Sequence, residues 1–117
     1  MENRKASNRK YWKTINGKLM VTYNNMSRRV RGYVKPEIYC GLMLLDRNEF
    51  YEWSKSNEDF NKLYNDWVDS GYERRLSPSI DRIDSCGGYV LDNTRWITHS
   101  ENSRLGSISR WNSSGLQ

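Results

Sequence analysis

The chain has 117 residues, a net charge of +5 at pH 7 and a pI near 9.3. That length suits one domain and is too short for two comfortable cores. No apolar run approaches the ~20 residues of a membrane span, and the N-terminus M-E-N-R-K-A-S lacks the apolar core of a secretory signal, so the expectation is a soluble, cytoplasmic protein.

The charge is unevenly placed. Residues 1–35 carry ten Lys or Arg against one Glu, residues 36–73 carry three against nine acids, and residues 74–117 carry six against four. A basic start, an acidic middle and a mildly basic end fit a protein with one nucleic-acid-facing side, although a basic N-terminus is equally a solvated tail. Five Trp and eight Tyr imply that a few large rings supply much of a small core. Cys40 and Cys86 form no C-x-x-C pair, so no structural zinc is expected and two free thiols are.

In chain order, residues 1–18 read as a basic flexible arm with Tyr11 and Trp12 its only large rings, and Asn16-Gly17 is a turn signal. Residues 19–32 read as a helix, because Leu19, Tyr23, Met26 and Val30 recur on one face. Arg28, Arg29 and Arg31 fall off that stripe, either solvated or aimed at DNA phosphates, and Gly32 is a stop signal. Pro36 and Gly41 then predict an extended connection. The apolar run 42–45 fits either a short buried strand or the entry to the next helix. Asp46 is an N-cap for a helix over 46–54 with Phe50 and Trp53 on one face. Ser56 and Asp59 form a capping box before the stripe Phe60, Leu63, Tyr64 and Trp67, which ends near Gly71. Residues 19–75 therefore form a helical support region.

Residues 76–111 have a different organisation. Residues 79–84 make a short strand with Ile80 and Ile83 as its apolar content. Ser85, Cys86, Gly87 and Gly88 make a turn, and residues 93–98 make a second strand. Thr98 and Glu101 form a capping box that starts a helix at about His99. The order is strand, loop, strand, helix. Such a unit lets Asp81, mid-strand, face Asn102 in the first helical turn. A carboxylate and an amide oxygen suit a hard cation such as Mg²⁺. The plainer alternative is an edge-strand carboxylate and a solvated helix residue. Residues 112–117 read as a disordered tail.

The sequence I-D-R-I-D, then G-Y, then D-N-T-R-W-I-T, then E-N, resembles the ββα-metal (HNH, or His-Me finger) nucleases that bacteriophages encode as free-standing or homing endonucleases. The resemblance is strongest over residues 76–104 and weaker over 19–75. It implies an α+β single domain in which N-terminal helices precede a ββα-metal motif, and a metal-dependent DNA endonuclease acting in the bacterial cytoplasm on double-stranded DNA. By the same resemblance, Asp81 and Asn102 bind a divalent metal, Mg²⁺ or Mn²⁺, and Asn93 fixes the loop by bonding to backbone. Arg82 stands where the best understood members carry the histidine that activates water. A guanidinium cannot be a base near pH 7, but it can contact the scissile phosphate. His99, the only histidine, is a candidate base or a solvated or phosphate-touching helix residue. Asp84 is a further candidate for metal or water contact. Arg74, Arg75, Arg95 and Arg104 join Arg28, Arg29 and Arg31 as candidate DNA contacts. The alternative function is a catalytically inactive DNA-binding or regulatory relative that kept the fold and lost the base. Monomer and dimer both remain open.

Overall fold

The computed structural model describes residues 10–33 and 35–115, with side chains through residue 107. It is a small α+β domain in which, among the described residues, helices precede a two-stranded antiparallel hairpin and a last helix. In chain order these are α1 (Ile15–Val30), α2 (Pro36–Tyr39), α3 (Arg47–Lys55), α4 (Glu58–Asp69), β1 (Pro78–Arg82), β2 (Thr94–Thr98) and α5 (His99–Gly115). Short 3₁₀ turns at Arg74–Leu76 and Leu91–Asn93 lead into the two strands.

α1 begins earlier than the apolar stripe alone suggests. Thr14 accepts from the Gly17 N–H and caps it, and Leu19, Tyr23 and Met26 are buried along the expected face. The expected flexible arm over 1–18 therefore differs from residue 10 onward, where residues 10–12 make a helical turn packed on α1; residues 1–9 lie outside the described residues. Gly17 is not in a turn. A Cβ there would sit 1.8 Å from the Tyr11 carbonyl oxygen, so the glycine lets that segment lie against the helix. The connection over 33–45 contains the short helix α2 with Pro36 at its start. The apolar run after it is an extended segment: Leu44 pairs in parallel with Tyr89, through Tyr89 N–H to Met43 O and Leu45 N–H to Tyr89 O, both 2.8 Å.

Asp46 caps α3 by accepting from the Asn48 and Glu49 amides. The cap of α4 is Asn57, which accepts from Phe60 N–H, rather than Ser56. Ser56 instead closes α3, its hydroxyl donating to Glu52 O and Trp53 O. Only Ile80 of the two strand isoleucines is buried; Ile83 lies past the end of β1 and is exposed. At the C-terminus the helical backbone runs on to Gly115, past residue 111 where a tail was expected, with no proline to interrupt it.

The core joins α1, α3, α4 and one face of the hairpin. Phe50 and Phe60 are fully buried and meet Trp96 at ring-centroid distances of 5.8 and 4.5 Å. Trp96 donates its indole N–H to Ser54 Oγ at 3.1 Å, which satisfies two polar groups in the interior. Among the described residues, no helix is long and apolar enough to cross a membrane.

Candidate functional site

The hairpin register pairs Ile80 with Trp96 and Asp81 with Arg95. Side chains alternate between the two faces of a strand. Ile80 and Trp96 point toward α4, while Ser79, Asp81, Arg95 and Ile97 share the opposite face. α5 lies on that second face. Its capping box forms, with the Glu101 N–H donating to Thr98 Oγ1 at 3.1 Å, and this starts the helix at His99. One turn later, Asn102 Nδ2 donates to Ser79 Oγ at 2.7 Å and to Ile80 O at 3.0 Å.

Those two bonds fix the amide. A backbone carbonyl can only accept, so the NH₂ group must face β1, and Asn102 Oδ1 is turned away from the strand. Asp81 lies on the same face, two residues beyond Ser79, with its side chain 17% exposed and its Oδ2 accepting from Arg95 Nε at 2.9 Å. The structure thus places Asp81 and Asn102 on one face of the hairpin, with Arg95 bonded to Asp81. A carboxylate and an amide oxygen are the donor types that a hard divalent ion takes, alongside water and substrate. Among the described residues, no three His, Cys, Asp or Glu side chains converge as a metal-holding group.

Asn93 stitches the hairpin loop. Its Oδ1 accepts from the Asp84 N–H at 2.7 Å, and its Nδ2 donates to Asp84 O at 3.0 Å and Gly88 O at 2.9 Å. A Cβ on Gly87 would lie 2.7 Å from that Nδ2, and one on Gly88 would lie 2.7 Å from Met43 O, so the loop passes where only glycines fit. Asp84 accepts from the Cys86 N–H at 2.9 Å and acts as a local turn residue.

Arg82 alternates to the face opposite Asp81. Its Nη1 donates to Ser85 O at 2.6 Å and Gly87 O at 2.9 Å, and its guanidinium lies over the rings of Tyr39 and Tyr89, 4.8 and 5.6 Å from their centroids. Those rings stack at 6.5 Å and 16°. Arg29 joins them, over Tyr39 at 5.6 Å and donating to the Tyr89 hydroxyl. The two arginines and two tyrosines brace the loop against α2. Burial pushes the Tyr89 phenol above its ordinary pKa, opposed by the nearby Arg29. Tyr39 and Tyr89 were absent from the sequence-based candidates; nothing local in the sequence marks two rings so far apart as partners.

His99 sits at the other end of the hairpin, where its backbone N–H donates to Ser77 O at 2.8 Å. Asp81 lies four residues beyond Ser77, roughly 13 Å along the backbone at ~3.3 Å per residue. The His99 backbone is therefore anchored at the end of the hairpin away from Asp81. The other candidate arginines lie at the end of α1, in the turn before β1 and on α5. Arg28 and Arg31 are exposed at the end of α1, with Arg31 over Tyr33 at 5.1 Å. Arg74 is exposed in the turn before β1, Arg75 pairs with Glu73 at 3.6 Å, and Arg104 pairs with Glu101 at 3.7 Å. Cys40 and Cys86 are exposed free thiols. None of the protein-family models, curated proteins or solved structures compared with this chain matches it.

Proposed function

We propose that the chain is a metal-dependent DNA endonuclease of the HNH, or ββα-metal, type, acting on double-stranded DNA in a bacterial cytoplasm. The observation that carries this reading is the shared face of Asp81 and Asn102, with the Asn102 amide locked so that its oxygen is presented outward. Asp81 and Asn102 would hold Mg²⁺ or Mn²⁺. When bound, such an ion polarises the scissile phosphate and stabilises the leaving oxygen.

The chain's own residues supply the rest. Arg95 uses Nε on Asp81, which leaves its two terminal nitrogens for a phosphate oxygen, and a guanidinium there favours the charge that develops during phosphodiester cleavage. Asn93, Gly87 and Gly88 fix the loop at the end of β1 and so hold Asp81 in register. Ser79 acts as a positioning residue for Asn102.

A second reading, a DNA-binding module that does not cleave, is favoured by one observation. Arg82, at the position of the family's histidine, is engaged with two loop carbonyls and two rings on the face away from Asp81. Incubation with supercoiled plasmid, with and without Mg²⁺ or Mn²⁺, separates the two. The endonuclease reading expects metal-dependent nicked or linear product that disappears in Asp81→Ala and Asn102→Ala. A plasmid shifted on a gel but never cut, in any metal, selects the second reading.

A further inference from the structure

A cavity of about 280 Å³ opens between the first turns of α1 and the end of α4, lined by Trp12, Lys13, Lys18, Val21 and Trp67. It belongs to the Ser77 end of the hairpin, because Lys18 Nζ donates to Ser77 Oγ. Ser77 lies roughly 13 Å along the strand from Asp81, and neither Asp81 nor Asn102 lines the cavity.

Three observations set this cavity apart. First, it is cationic without an acid. The Lys18 ammonium is partly buried 4.9 Å over the Trp67 ring, burial lowers its pKa, and neither Lys18 nor Lys13 takes part in the ion pairs found among the described residues. A desolvated cation with no counter-charge favours an incoming anion. Second, Trp67 is 7% exposed and its indole N–H, buried, has no partner among the described residues. A buried donor left unpaired is uncommon in a settled core. Third, the fold holds the walls in place. Gly17 admits the Tyr11–Trp12 backbone at close range, and the Tyr64 hydroxyl donates to Lys13 O at 2.8 Å. Tyr72 is kept at φ 66° with its ring edge-on to Trp67 at 5.0 Å and under Lys13 Nζ at 4.5 Å.

One exposed indole, a second indole's unpaired N–H and two ammonium groups fit a flat ring with acceptor atoms joined to a phosphate. We propose that the cavity takes one unstacked nucleotide of a DNA strand, its base stacked on the exposed Trp12 and accepting from the Trp67 indole N–H, and its phosphate on Lys13 and Lys18. The volume, just under the range of pockets for drug-sized ligands, admits one ring and its attachment rather than two. The chain's own residues 1–9, with Arg4, Lys5 and Arg9 against Glu2, carry the wrong charge to fill it. The inference rests on DNA being the substrate, as proposed above, and adds a second point of contact away from the metal-binding face.

The test uses the full chain in EDTA, so that binding is read without cleavage. Fluorescence anisotropy of a fluorescein-labelled single-stranded oligodeoxynucleotide gives the affinity, and the indole N–H resonances report which tryptophans respond. Trp12→Ala is expected to weaken binding about tenfold with little change in salt dependence, as loss of one base–aromatic stack does. Lys13→Gln is expected to weaken binding and to reduce the slope of log affinity against log salt by about 0.7. The oligonucleotide should shift the Trp12 and Trp67 indole signals and leave those of Trp53 and Trp96 in place. Wild-type affinity in Trp12→Ala, absence of binding to the single strand, or a free mononucleotide that binds more tightly than the strand would each overturn the proposal. Failure to cleave plasmid leaves it intact, whereas a cleaving protein whose Trp12→Ala variant binds normally removes this inference alone.

Discussion

The Asn93 amide makes three bonds to the loop backbone, and its replacement gives a sharp test of how the hairpin is held. Asn93→Ala deletes the bonds to Asp84 N–H, Asp84 O and Gly88 O. A hydrogen bond contributes about 1 kcal/mol net, and the loop is partly exposed, so water replaces some of what is lost and the cost is about 2 kcal/mol. At about 2.1 cal/mol/K of unfolding entropy per residue, 117 residues give roughly 0.25 kcal/mol/K, and Tm should fall by about 8 °C. Gly87→Ala places its Cβ 2.7 Å from Asn93 Nδ2 and should also destabilise. The two changes meet at one atom, so they should not add: Gly87→Ala should cost less in the Asn93→Ala background, by about 0.5 kcal/mol or more. Thermal unfolding by circular dichroism of the four proteins measures this. Additive effects, or a Tm for Asn93→Ala within 1 °C of wild type, would refute the role given to this amide.

Ser54→Ala leaves the buried Trp96 indole N–H without its acceptor and should lower stability by about 2 kcal/mol in denaturant titration, more than an exposed serine such as Ser103. Arg82→Ala removes two bonds to loop carbonyls and the contact with Tyr39; it should cost about 1–2 kcal/mol and speed amide exchange in residues 84–88, while the pH dependence of any cleavage keeps its shape. Burial raises the phenol pKa of Tyr23 above 10.0, against the opposing charge of Arg47, and burial likewise raises those of Tyr64 and Tyr89. Their contribution to stability is whole below pH 10, where the unfolded phenols are still protonated, and is lost as pH rises through the folded values. Tm should therefore fall steeply above pH 10, and less steeply in Tyr23→Phe, although that variant starts lower at pH 7 because Leu45 O loses its donor.

Much of this fold was legible wherever one local rule decided the outcome. Leu19, Tyr23 and Met26 announced the buried stripe of α1, Asp46 its cap on α3, and Thr98 with Glu101 the start of α5. Where two rules competed, the sequence was silent on the winner. Ser56 and Asn57 both suited the cap of α4, and Asn57 took it because the Ser56 hydroxyl turned back to close α3. Gly17 has two ordinary explanations, a turn or a close approach, and only the packed structure shows Tyr11 lying against it. In the candidate site, strand alternation and helical spacing were enough to bring Asp81 and Asn102 to one face. The position of His99 depended on the register of the hairpin, with Thr98 opposite Pro78, which no residue pattern specified. The Tyr39–Tyr89 platform that occupies Arg82 joins α2 to the hairpin loop and is a product of tertiary packing alone.

The central claim is that Asp81 is a direct ligand to a catalytic divalent ion. Plasmid nicking by Asp81→Cys, compared in Mg²⁺, Mn²⁺ and Cd²⁺, tests it most directly, because a thiolate binds soft ions well and Mg²⁺ poorly. The account predicts that wild-type protein nicks in Mg²⁺, that Asp81→Cys does not, and that Mn²⁺ or Cd²⁺ restores part of the activity to the variant. Full Mg²⁺-dependent nicking by Asp81→Cys would contradict it.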